Sequence, residues 1–247
     1  LTLLASGAIS TSSSEKMKEY KDIPLAPGSI LASPLISGDI EACVIGTVTE
    51  VVGDKVYGFG HSFLGYGDID LPLATGYVHT VVATVVRSFK FGQSIDIKGA
   101  LRADESTAIY GLVGAQAKTI PLSVTIDRFN DNEIRTYDCQ LAVNNALTPS
   151  LVGMALLGTS LMRGSLPADH MIEYEANIAV KDHDAIKFKN ISTGTSLNNI
   201  VAESVGSVTI LMNNPYKKFE ITSMDFNIRI VPKNITSRIW SVDISNT

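Results

Sequence analysis

The 247-residue chain holds two cysteines and four histidines, and that scarcity closes off several kinds of chemistry. Cys43 and Cys139 lie far apart with no ligand-spaced neighbour, so neither begins a zinc motif. They form either a long-range disulfide or two free thiols, because pairing requires Cα atoms within about 7 Å and sequence does not supply that distance. His61, His79, His170 and His183 are dispersed, and no two have the close spacing of a metal site. No phosphate-binding loop or dinucleotide fingerprint occurs, so neither a cofactor nor a metal is expected. There is no basic patch: net charge is −5 with both signs scattered, which argues against nucleic acid as a partner. No apolar run reaches the ~18 to 20 residues that span a bilayer. The nearest, Leu151 to Leu161, is short and interrupted by glycine, threonine and serine. An initiator methionine and a recognisable signal peptide are also missing, so Leu1 suggests a fragment or a processed chain with something upstream.

What is present is a chain that is 45% hydrophobic, with positive mean hydropathy, as expected of an ordered globular protein. Residues 1–24 are polar and serine-rich and read as an N-terminal linker or arm. From Ile30 onward the signals are strands. Val44–Val52 is rich in β-branched residues, Gly53-Asp54-Lys55 supplies a turn, and Val56–Phe59 returns. Tyr77–Val86 reads as a strand between loops at Pro72 and Gly92. Ile95–Leu101, Ala108–Val113, Ile120–Phe129 and Glu133–Val143 follow at the spacing of a barrel or sandwich, with a turn at Asn130-Asp131-Asn132.

After Pro149 the period changes. Ser150–Arg163 has helical spacing ended by Gly164, and Ser196–Met212 contains a second helix. Met171–Val180 and Ala185–Lys189 form a hairpin around Asp182-His183-Asp184, a solvated tip more than a metal cluster. Phe219–Val231 alternates as a strand. The resulting organisation is a β-rich domain over 25–145 followed by a smaller α+β portion over 146–247.

The densest local signal surrounds His61. It follows an apolar strand, and Gly58, Gly60, Gly65 and Gly67 flank it, which is where a chain needs positive φ or close backbone approach. An imidazole positioned this way, with an ordinary pKa of about 6.5, suits proton transfer near neutrality. The plainer reading is a partly buried histidine hydrogen-bonded within a tight loop. Asp68 and Asp70 after it, and Asp39 before it, could orient the ring or simply cap backbone amides. Ser62 adjoins His61, but neighbouring side chains on extended backbone point to opposite faces. Ser106 reads as a turn residue. Asn190-Ile-Ser192 and Asn234-Ile-Thr236 fit glycosylation sequons.

Pro27-Gly28, Gly38-Asp39, Gly46-Thr47-Val48-Thr49, Phe59-Gly60-His61, Asp70-Leu71-Pro72, Ser88-Phe89-Lys90 and Ile120-Pro121 occur in that order over roughly a hundred residues. In this the chain resembles the stage IV sporulation protein B (SpoIVB) family of serine peptidases, and looks closest to its long bacterial envelope members. The resemblance implies a mainly β fold with a chymotrypsin-like β-barrel element, a location in the cell envelope or outside the cell, and His61 as the general base of peptide-bond hydrolysis.

The family's nucleophile sits in a Gly-Met-Ser-Gly-Ser-Pro motif that this chain does not contain. Ser165, in Arg163-Gly164-Ser165-Leu166-Pro167, comes nearest, although a helix terminus accounts for it better. Two expectations follow. Either the chain carries the histidine half of a site whose serine lies on an associated upstream segment, acting on a protein or peptide, or it is a non-catalytic envelope scaffold or protein-interaction module derived from that fold.

Overall fold

A computed structural model describes residues 20, 22–83, 85, 88–129, 131–162, 170–193, 197–233, 235, 237 and 239–244. The β-branched runs become β1 (Ile30–Gly38), β2 (Ala42–Val52), β3 (Lys55–Gly58), β4 (Gly67–Val82), β5 (Phe89–Asp104), β6 (Ile109–Val113), β7 (Thr119–Arg128) and β8 (Arg135–Ala142). Then come α1 (Thr148–Leu161), β9 (Met171–Val180), β10 (Ile186–Thr193), α2 (Asn198–Met212) and β11 (Ile221–Val231). The chain is mainly β, with a barrel-like element and a small helical part.

Among the described residues eleven strands share one sheet, in the order β10-β9-β11-β7-β8-β1-β2-β3-β6-β5-β4, and an added β1–β4 pairing closes the last six into a ring. β1 makes this possible by dividing one of its edges. Leu31 and Ala32 pair with Thr75 and Ala74 of β4, whereas Ile36 to Gly38 pair with Leu141 to Cys139 of β8. The change of partner coincides with a bulge between Pro34 and Ile36, where proline's missing donor and a local bend are both tolerated. The ring encloses Leu31, Val48, Val56, Leu71, Leu73, Leu101 and Ile109, all buried.

Beyond β8 the sheet is open. β7 and β11 pair in parallel, Leu122 opposite Met224 through Arg128 opposite Ile230. The alternation of β11 places Met224, Phe226, Ile228 and Ile230 in the core and Asp225, Asn227 and Arg229 in solvent. The two helices pack against each other, and a Cβ on Gly153 of α1 would lie 2.9 Å from Val205 of α2.

Several local expectations are corrected. Pro72 and Gly92 sit inside strands: Pro72 lies opposite Ala100 and Gly92 opposite Val78 in the β4–β5 ladder. At Pro72 strand β4 pairs with β5 alone, since its pairing with β1 is confined to Ala74 and Thr75, and a one-sided position of this kind tolerates proline. α1 begins at Thr148, two residues before the expected start, with Pro149 in its first turn where the absent N–H is not needed. Thr148 Oγ1 fastens that start, donating to Ala142 O and accepting from Asn144 N, both at 2.8 Å. Cys43 and Cys139 are free thiols. The helix stop at Gly164, Ser165 and residue Asn130 of the expected turn lie outside the described residues.

Candidate functional site: the histidine turn

β3 ends at Gly58, and the next two residues both take left-handed backbone: Phe59 at φ 71° and Gly60 at φ 70°. For phenylalanine this is a strained conformation, costing on the order of 1–3 kcal/mol. The strain is held by packing. The Phe59 ring lies where a Cβ on Gly46 would be, its Cδ1 only 2.0 Å from that point, and Phe59 N donates to Thr47 O at 2.9 Å. Gly46-Thr47 and Phe59-Gly60-His61, separated in sequence, are therefore one physical unit.

The rest of the turn is held by Asp104 at the end of β5. Its carboxylate is 1% exposed and accepts hydrogen bonds from Phe63 N (2.6 Å), Leu64 N (2.5 Å) and Gly65 N (2.7 Å). Three backbone amides converging on one carboxylate form a strong clamp, since charge-assisted hydrogen bonds exceed neutral ones about twofold. Asp104 is positioned in turn by the β5–β6 hairpin, where it pairs with Ile109 and where Glu105 N bonds Ala108 O. The partners of Asp104 lie 39 to 41 positions away, and no local pattern signals them.

His61 stands between these two anchors with its ring exposed. Nδ1 lies 2.7 Å from Ser62 O. A carbonyl only accepts, so Nδ1 carries a proton in this contact, and in the neutral ring the lone pair is then on Nε2. Phe59 flanks the ring at a centroid distance of 5.9 Å. Among the described residues no serine hydroxyl and no carboxylate bonds this imidazole.

The carboxylates considered from sequence have their own geometry. Asp39 Oδ2 accepts from Asp138 N at 2.8 Å, capping the β1–β8 junction. Asp70 is paired with Arg102 and also accepts from Lys118 N at 3.1 Å. Asp68 is exposed and, with Tyr66, Asp70, Asn144 and Asn145, lines an open cleft of about 560 Å³ between the turn and the β8–α1 connection. Ser106 is exposed in the β5–β6 hairpin, Ser62 supplies only its carbonyl to the ring, and Ser165 lies outside the described residues.

The thiols are chemically quiet. Burial, reinforced by the nearby Glu41 carboxylate, pushes Cys43 from 9.0 up to about 12, and burial raises Cys139 as well. No group of three or more histidine, cysteine or acidic residues able to hold a metal occurs among the described residues.

The fold and site together define a mainly β protein that presents an exposed imidazole, bonded to its neighbour's carbonyl, on a clamped glycine turn. Comparison with known proteins yields no matching family model, no matching curated protein and no matching solved structure.

Proposed function

We propose that this chain is the histidine-bearing part of a SpoIVB-type serine peptidase of the bacterial cell envelope. In this reading the barrel is chymotrypsin-like, and the nucleophilic serine lies on a segment outside these residues. The observation that carries the reading is the contact of His61 Nδ1 with Ser62 O on an exposed ring, which in the neutral imidazole puts the lone pair on Nε2. That is the state a general base needs. As the serine Oγ attacks the scissile carbonyl, Nε2 takes its proton. The imidazolium then returns a proton to the leaving amine, and water hydrolyses the acyl-enzyme by the same route. The Ser62 carbonyl does the orienting that a carboxylate does in the usual triad, and the Asp104 clamp keeps the turn from yielding.

A second reading, a non-catalytic envelope scaffold or protein-interaction module, is favoured by a different observation. Asp39 and Asp70 are committed to other partners, and no hydroxyl meets the ring among the described residues.

A serine-directed fluorophosphonate probe separates the two. The chain is tested alone and within the longest natural polypeptide that carries it. Labelling of that polypeptide, lost in His61→Ala, is the result expected for the peptidase. No labelling leaves the scaffold, whereas labelling indifferent to His61→Ala overturns His61 as the base.

A further inference from the structure

The open part of the sheet ends at β10, which pairs with β9 and, among the described residues, with no strand on its other side. Such an edge presents a row of unpaired backbone donors and acceptors, which sheets cover or blunt. Its side chains follow from the register with β9. Ile186, Phe188 and Asn190 lie opposite Ile178, Ala176 and Tyr174 on the core side, and Lys187, Lys189 and Ile191 stand on the solvent side. Ile186 and Ile191 remain 38% and 47% exposed.

The same chain carries a segment with the pattern of a strand and no partner. Between Ile239 and Ile244, Trp240, Val242 and Ile244 alternate with Ser241 and Asp243, and none of these residues belongs to a strand or helix. Ile239 is 83% exposed, Trp240 96%, Val242 73% and Ile244 89%. Four uncovered apolar side chains in six residues, three of them at period two, fit a strand that is completed elsewhere.

The two segments match when set antiparallel with Asp243 opposite Lys187. Ile244 then meets Ile186, Val242 meets Phe188, Ser241 meets Lys189 and Ile239 meets Ile191. Apolar residues pair on both faces, and opposite charges pair on the solvent side. Lys189 keeps its ion pair with Glu175 at 2.7 Å, whereas Lys187 and Asp243 have no ion pair among the described residues. Sliding by two residues sets Lys189 against Ile239 in one direction and Trp240 against Ser192 in the other. A slip of one turns Trp240, Val242 and Ile244 to the solvent side.

We propose that Ile239–Ile244 of one copy of the chain adds to the free edge of β10 in a second copy, the two tails being exchanged about a two-fold axis. A second copy is the occupant because the single chain leaves tail and edge both uncovered, and each supplies the pattern the other needs. The inference uses no residue of the histidine turn and stands apart from the peptidase reading.

The test is sedimentation velocity over a range of concentrations, with the emission of Trp240, the chain's one tryptophan, followed in parallel. A dimer should form as concentration rises, and the emission should move to the blue with it. Val242→Asp sets a charge against Phe188 and should weaken association about tenfold or more. It should leave the melting temperature of the dilute chain unchanged, because Val242 is exposed there. Lys187→Glu and Asp243→Lys should each weaken the dimer, and the two together should restore it. Ile191→Cys combined with Ile239→Cys should give a covalent dimer on oxidation. A monomer at every concentration overturns the proposal, as does a dimer indifferent to Val242→Asp. A cross-link found only within the monomer overturns it in favour of the chain closing its own edge.

Discussion

The ring of Phe59 occupies the volume that a side chain on Gly46 would need, with Cδ1 2.0 Å from the ideal Cβ position. The glycine on β2 and the strained residue after β3 therefore depend on each other. Gly46→Ala should displace the ring and release the left-handed turn, costing about 2 kcal/mol, as overpacking does. The His61 ring protons should shift in the NMR spectrum at the same time. A stable variant with unchanged His61 signals would show that Phe59 does not hold the turn.

Asp104 invites a sharper test, because its carboxylate serves three amides of the turn. Asp104→Ala strands those donors and should cost about 3 kcal/mol in urea denaturation. Asp104→Asn should recover only part of this, since one of the two carboxylate oxygens becomes an N–H₂ facing other donors. Limited proteolysis should cut between Phe59 and Tyr66 in both variants before the parent is cut there.

The tautomer of His61 is directly measurable. Free imidazole favours the proton on Nε2, so a majority Nδ1–H signal in long-range ¹H–¹⁵N spectra above the ring's pKa would confirm the bond to Ser62 O. A majority Nε2–H signal would remove the argument for a general base. His61→Ala itself should change stability by no more than about 0.5 kcal/mol, because the exposed ring bonds only its neighbour's carbonyl.

Alkaline pH should weaken the fold through Cys43. Its folded pKa of about 12 exceeds the ordinary 9.0 because the buried site disfavours the thiolate. The unfolded chain therefore releases this proton first. The stabilisation is complete below pH 9 and is lost as pH rises toward 12, at up to about 1.4 kcal/mol per unit. Tyr174, raised by burial and by its bond to Glu203, acts in the same direction at higher pH. Cys43→Ala should flatten the first part of this decline in denaturation series, and neither thiol should react rapidly with Ellman's reagent before unfolding.

Much of the architecture was legible because it rests on local pattern. The alternation of β11, the β-branched run of β2 and the Gly53-Asp54 turn each carry their structure within eleven residues. The misreadings share one cause. Pro72 and Gly92 look like punctuation until the neighbouring strands are known, and what permits them is a stretch of β4 paired with β5 alone and a close approach of the Tyr77 carbonyl, 2.2 Å from any Cβ on Gly92. The same holds at the site. His61 was visible from its glycines, whereas Asp104 acquires its meaning only when the β5–β6 hairpin brings it beneath a turn some forty residues earlier.

The parallel pairing of β7 with β11 has a temporal consequence. Leu122 must wait for Met224, about a hundred residues later in synthesis, and such long-range pairing is slow to form. On the ribosome the ring and the β7–β8 hairpin can be complete while one edge of β7, with Leu122, Val124 and Ile126 beside it, still lacks its neighbour. At a few to some tens of residues per second, that edge stays uncovered for several seconds or more. A nascent chain halted before residue 221 should thus be the form that chaperones hold and that aggregates, even though every strand of the ring is already in place.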